Sequence, residues 1–98
     1  MNVILKQDGG TLCIAPEGRL DSRTAPELET VVEGSLNGVT DLTFDFEKIE
    51  YISSAGLRVL LGAQKIMARK GTMRIVNLNE IVLKIFEMTG FNDILPIE

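Results

Sequence analysis

Two adjacent hydroxyls, Ser53 and Ser54, followed by Ala55-Gly56-Leu57, are the groups of this chain best placed to do chemistry. Ile52 precedes them, at the point where a strand-rich segment gives way to an amphipathic helical one. A serine there lies at a helix N-terminus, where unpaired N–H groups and the helix dipole favour negative charge. It can serve as a nucleophile, a ligand-binding group, a phosphoacceptor or a cap. The nucleophile reading fails on two counts. A Gly-x-Ser-x-Gly elbow around Ser54 would need glycine where Ile52 stands, and the chain has no histidine to take the proton. A Ser–Lys pair would have to use Lys48, which has no evident orienting partner. The turn also lacks the glycine-rich run and following lysine of a phosphate-cradling loop. Capping accounts for Ser53, because serine is among the preferred N-cap residues. Ser54 would then take the first helical position, with its hydroxyl directed outward.

The elements that position this turn follow from periodicity. Val3 to Lys6 and Leu12 to Glu17 read as strands joined by the turn Asp8-Gly9-Gly10. Pro16 lacks an N–H and should face an unpaired side of its strand or mark a bulge. Gly18-Arg19-Leu20-Asp21 then leaves the sheet. Thr24-Ala25-Pro26-Glu27 predicts a helix start with a capping box, followed by Leu28, Val31, Val32 and Leu36 at helical spacing. Gly34 or Gly38 ends that helix. Leu42, Phe44 and Phe46 alternate with Thr43 and Asp45, so that strand has one apolar face.

After the serines, Gly56, Val59, Leu60, Ala63 and Met67 form a helical stripe, widened by Leu57, Leu61 and Ala68 and stopped by Gly71. Thr72 to Val76 is a further strand. Asn79 caps a third helix carrying Val82, Ile85 and Phe86, closed by Gly90, and Asp93 to Ile97 is a short strand or tail. Met67, Met73 and Met88 read as core or edge filler. The order is β-β-α-β-α-β-α with a possible final β. Helical crossovers make the later strands parallel, while the opening hairpin is antiparallel. The expected fold class is therefore α/β: one small domain over residues 1–98, with a mixed, mostly parallel sheet and packed helices.

Composition narrows the function classes. An apolar fraction of 45% and a charged fraction of 24% describe an ordinary globule. The net charge of −4, without a Lys/Arg stripe, argues against nucleic acid or anionic membrane as direct partners. No secretory signal is expected at the N-terminus, and no apolar run approaches the roughly 18 residues that span a bilayer. The single Cys13 cannot form an intrachain disulfide and suits a reducing cytosol. Without histidine the commonest metal ligand is missing as well, so neither a metal nor a cofactor is expected.

Three motifs in order carry a resemblance. Tyr51-Ile52-Ser53-Ser54-Ala55-Gly56-Leu57, Gly18-Arg19-Leu20-Asp21 and Thr24-Ala25-Pro26-Glu27-Leu28 resemble the STAS family, the domain of anti-sigma-factor antagonists and of sulfate-transporter tails. The strand Leu42-Thr43-Phe44-Asp45-Phe46 resembles the one entering its signature turn, and the likeness runs essentially the whole length. The resemblance implies a non-enzymatic, phosphorylation-controlled binding protein of the cytoplasm. Ser54 would be phosphorylated by a serine kinase that doubles as the anti-sigma factor, and a metal-dependent phosphatase would remove the phosphate. The unphosphorylated form would capture the kinase and free a sigma factor. Asp21, Ser53, Ala55, Gly56, Leu57 and Arg58 would form the partner surface. The family's usual Asp before the acceptor is Ser53 here, which makes Ser53 a minor candidate acceptor. Arg58, four residues beyond Ser54 on the same helical face, reads either as a partner for the phosphate or as a solvated surface arginine. The alternative within the family is a scaffold or lipid-transport subunit whose serine is never modified.

Overall fold

The computed structural model describes residues 1–98. Chain order is β1 (Val3–Asp8), β2 (Thr11–Pro16), β3 (Gly18–Leu20), α1 (Ala25–Ser35), β4 (Asp41–Asp45), β5 (Ile49–Ile52), α2 (Ser54–Met67), β6 (Thr72–Val76) and α3 (Glu80–Thr89). A 3-10 turn, Phe91–Asp93, follows. The main sheet runs β1-β2-β4-β6, with β1 antiparallel to β2 and the other pairs parallel. Expected pairing and crossovers are thus found.

Alternation decides which face of that sheet is covered. Leu12, Ile14, Leu42, Phe44, Met73 and Ile75 point into one buried cluster, joined by Leu28 and Val32 of α1, Leu60 and Met67 of α2, and Phe86 of α3. All three helices therefore lie on that side. The opposite face carries Cys13, Thr43 and Arg74 in one register row, and Arg74 Nε donates to Thr43 Oγ1 at 3.0 Å. Pro16 causes no loss of pairing, because the β2–β4 ladder ends at Ile14–Phe44.

The sequence reading missed a second sheet. Gly18–Leu20 does leave the main sheet, but it pairs in parallel with Ile49–Ile52, placing Leu20 opposite Ile52. The expected final strand shrinks to one bridge, Ile75 to Ile97, beyond the 3-10 turn.

Helix ends differ from expectation in instructive ways. Asn79 caps α3 as read, its side chain accepting from Val82 N–H at 2.8 Å, and Gly90 closes it at φ +77°. The capping box at Thr24 and Glu27 does not form. Thr24 Oγ1 instead donates to Arg19 O at 2.7 Å and accepts from Asp21 N–H at 3.0 Å. Glu27 is taken by the Met1 ammonium at 2.6 Å. Helix α1 also runs through Gly34 to Ser35. Gly71 is not what ends α2, whose cap is Ala68. A Cβ at Gly71 would lie 1.8 Å from Thr40 O, so the residue is needed for close approach between backbones. Met67 and Met73 are core residues as read, whereas Met88 stands 79% exposed.

Candidate functional site

The serine turn is built where the small sheet ends. Parallel pairing of β3 with β5 brings the ends of both strands to one edge, and Ser53 N–H donates to Leu20 O at 2.9 Å. That bond sets Asp21, the next residue after Leu20, beside the start of α2. The helix begins with Leu57 N–H to Ser53 O at 3.0 Å. The N–H groups of Ser54, Ala55 and Gly56 precede this first intrahelical bond and are the donors a helix start leaves over.

Gly56 makes the close packing possible. A Cβ there would come 2.7 Å from Leu20 Cγ and 2.8 Å from Ile52 Cγ1. Both neighbours are fully buried, so α2 lies directly on the small sheet. This contact fixes the rotation of α2 about its axis. It sends Leu57 into the core at 1% exposure, while Ser54 and Arg58 face solvent and Ala55 is half-buried.

The residues expected at the partner surface therefore divide. Asp21, Ser54, Ala55 and Arg58 all keep accessible surface, Ala55 and Arg58 lining one groove and Asp21 another. Gly56 and Leu57 do not belong there; both are buried, because the helix packs along this side. Arg58 has no carboxylate within ion-pair distance, and with Ser22, Pro26, Glu29 and Ala55 it lines a groove between the starts of α1 and α2.

Ser53 occupies the N-cap position, with extended backbone at φ −102° and ψ 177°. Its hydroxyl, however, makes no cap bond: Oγ is buried and has no hydrogen-bond partner. The expected side-chain cap therefore does not form. Ser54 Oγ is free of protein partners too, but on an exposed residue.

Asp21 is held by its own turn. Its Oδ1 accepts from Arg23 N–H at 2.9 Å and from Thr24 N–H at 3.3 Å. The Arg23 N–H bond, helped by that of Thr24 and by the charges of Arg19 and Arg23, draws the carboxyl below its ordinary value against the opposing effect of desolvation. On the far side of the molecule, burial and then the Asp45 carboxylate push the Cys13 thiol up. Asp45 itself accepts from Asn77 Nδ2 at 2.9 Å and from Glu47 N–H at 3.0 Å.

Sequence reasoning left Arg19 without a role. Its guanidinium lies 4.5 Å above the Tyr51 ring, across the register pair Arg19–Tyr51. The β-rich segment Ile49-Glu50-Tyr51-Ile52 is the signal that could have revealed this pair, since a strand there needs a partner.

The architecture defines a small α/β domain that presents one hydroxyl at a rigid helix start, with no acid–base residue bonded to it. The chain belongs to the STAS family: the model of the STAS domain matches residues 2–98. It is 29% identical to the anti-sigma-B factor antagonist of Bacillus subtilis over 98 residues, covering 99% of this chain and 90% of that protein. It is 30% identical to the anti-sigma-B factor antagonist of Listeria monocytogenes over 98 residues, covering 97% and 85% respectively. Among solved structures, the unphosphorylated form of the anti-sigma factor antagonist SpoIIAA superposes with a TM-score of 0.83 at 21% identity, covering 99% of this chain and 88% of that one. The phosphorylated form of SpoIIAA from Bacillus gives 0.74 at 20% identity, covering 99% and 91%. These structures share the fold.

No helix of the chain is long and apolar enough to cross a membrane.

Proposed function

We propose that this chain is an anti-sigma-factor antagonist of the cytoplasm, a binding protein rather than an enzyme, switched by phosphorylation of Ser54. The unmodified form captures an anti-sigma factor that is also a serine kinase, and so frees a sigma factor. A metal-dependent phosphatase resets it. The observation that carries the reading is Ser54 itself: exposed, at the first position of α2, with its neighbouring N–H groups unpaired and its backbone pinned by Ser53 and Gly56. The names of the relatives point the same way.

Phosphorylation adds about −1.5 to −2 charge at neutral pH. The helix start tolerates that charge, so the modification acts on the interface through repulsion and the cost of desolvating the phosphate. A loss of about 3 kcal/mol weakens binding roughly 150-fold.

The test is incubation with a cognate serine kinase and ATP, followed by mass spectrometry. One phosphate on Ser54, with capture of the kinase by the wild type and not by Ser54→Asp, is the expected result. A chain that is bound but never modified would instead indicate an unregulated scaffold. Modification at Ser53 would move the switch by one residue.

A further inference from the structure

We infer that Arg19, stacked on Tyr51, is the docking element for an acidic side chain of the captured anti-sigma factor. The inference rests on the function proposed above and supplies the partner chemistry that it leaves open. The stack borders a groove of about 400 Å³ beside the Asp21 turn. Three acids and two arginines line this groove, and the acids are already engaged. Glu27 holds the Met1 ammonium at 2.6 Å, Glu17 faces Lys48 at 3.7 Å, and Asp21 accepts two backbone N–H groups of its own turn. Neither Arg19 nor Arg23 has a carboxylate within ion-pair distance or any side-chain hydrogen bond. Met1 and Lys48 offset Glu27 and Glu17, and the Asp21 carboxylate offsets one of the two arginines, which leaves the groove a single positive charge for a visitor, on a chain whose net charge is −4.

Arg19 is also pre-set. Its backbone is paired with Tyr51 on one side, and its carbonyl takes the Thr24 hydroxyl at 2.7 Å on the other. The guanidinium carbon lies 4.5 Å over the ring, and none of its N–H donors is engaged within the chain, which leaves them for a carboxylate. A held arginine loses less side-chain freedom on docking, and tyrosine and arginine are the residue types that dominate binding hot spots.

The chain's own phosphoserine is the competing occupant. Arg58 lies in the separate groove lined by Ser22 and Ala55, which shares no residue with the groove of Arg19. Ser54 itself lines neither groove, but its neighbour Ala55 lines that of Arg58, so the groove of Arg19 is the one left to the partner.

The experiment titrates the serine kinase that phosphorylates Ser54 with wild-type chain and four variants. Arg19→Gln should bind at least about tenfold more weakly, and Arg19→Lys should recover only part of the loss. Tyr51→Phe should bind like wild type and Tyr51→Leu should not, since the stack needs an aromatic face. All four should stay folded, with thermal midpoints within about 5 °C of wild type. Capture of the wild type together with an Arg19→Gln affinity within twofold overturns the inference. So does a change in the phosphoserine titration, followed by phosphorus NMR, in phosphorylated Arg19→Gln, because the occupant would then be the chain's own phosphate. Failure of the wild type to be captured would sink the proposed function first, and this inference with it.

Discussion

Replacing Gly56 by alanine tests the contact that orients the serine turn, and Gly62 provides the control on the same helix. Both residues lie inside α2, so the intrinsic helix preference gained on adding a methyl group is the same, about 0.4–1 kcal/mol. Only the surroundings differ. At Gly62 a Cβ meets nothing within 4 Å, whereas at Gly56 it meets Leu20 Cγ at 2.7 Å, Ile52 Cγ1 at 2.8 Å and Leu20 Cδ2 at 3.0 Å. Carbon atoms pack at about 3.5–4.0 Å, so roughly an ångström must be found. The clashing atoms include the branch-point Cγ of Leu20, and both side chains are fully buried, so they cannot swing aside as an exposed chain end can. Overpacking of this kind costs about 1–3 kcal/mol. Gly62→Ala should therefore stabilise the chain by about 0.4–1 kcal/mol. Gly56→Ala should destabilise it by about 1 kcal/mol, lowering the thermal midpoint by roughly 4–8 °C. Urea unfolding followed by circular dichroism measures both. The difference between the variants cancels helix preference and isolates the clash. A difference below about 0.5 kcal/mol would refute the close packing of α2 on the small sheet.

Four further outcomes follow from the same geometry. Ser53→Ala should cost less than about 0.5 kcal/mol, because the hydroxyl makes no bond, whereas Asn79→Ala should cost about 1 kcal/mol or more in urea unfolding. Asn79 loses the most because it also donates to Ile49 O at 2.9 Å. The lowered carboxyl of Asp21 holds fewer protons in the folded than in the unfolded state. Its stabilisation is full above the ordinary value of 3.8 and lost as pH falls through the lowered one. Asp21→Asn should accordingly flatten the decline of the urea midpoint below about pH 4, and an unchanged slope would count against the turn bonds. Cys13 should alkylate more slowly than a free thiol at pH 8, with Asp45→Asn giving a modest acceleration in a timed iodoacetamide assay. Arg58→Ala should alter the phosphorylation rate of Ser54 or the affinity for the kinase; if both are unchanged, Arg58 is an ordinary surface arginine.

Local signals made most of the frame legible. Leu42, Phe44 and Phe46 announce a strand by alternation, and Asn79 with Gly90 brackets α3 by cap chemistry alone. What escaped depended on distance in sequence. Gly18–Leu20 is three residues long, and only Ile49–Ile52, some thirty positions away, makes it a strand. Thr24 and Glu27 match a capping box, but Asp21, Arg19 and the Met1 ammonium compete for the same groups and win. The resemblance of the signature turn places Leu57 at the partner surface, although it also widens the apolar stripe of the helix. The apolar stripe that includes Gly56 and Leu57 is what reports their burial, and the packing of Gly56 on Leu20 turns that side of the helix inward.

The same packing explains why a phosphate at Ser54 need not move the backbone. Ser53 is tied through its N–H to Leu20 and through its carbonyl to Leu57, so both strands of the small sheet and the first turn of α2 share one anchor. Gly56 leaves no slack beneath that anchor. Added charge at the first helical position meets the unpaired N–H groups of the helix start, which favour it. The change is then confined to what a partner encounters: a neutral hydroxyl in one state and a hydrated dianion in the other. A rigid turn suits such a switch, since the interaction energy lost with the partner is not recovered by rearrangement of the domain.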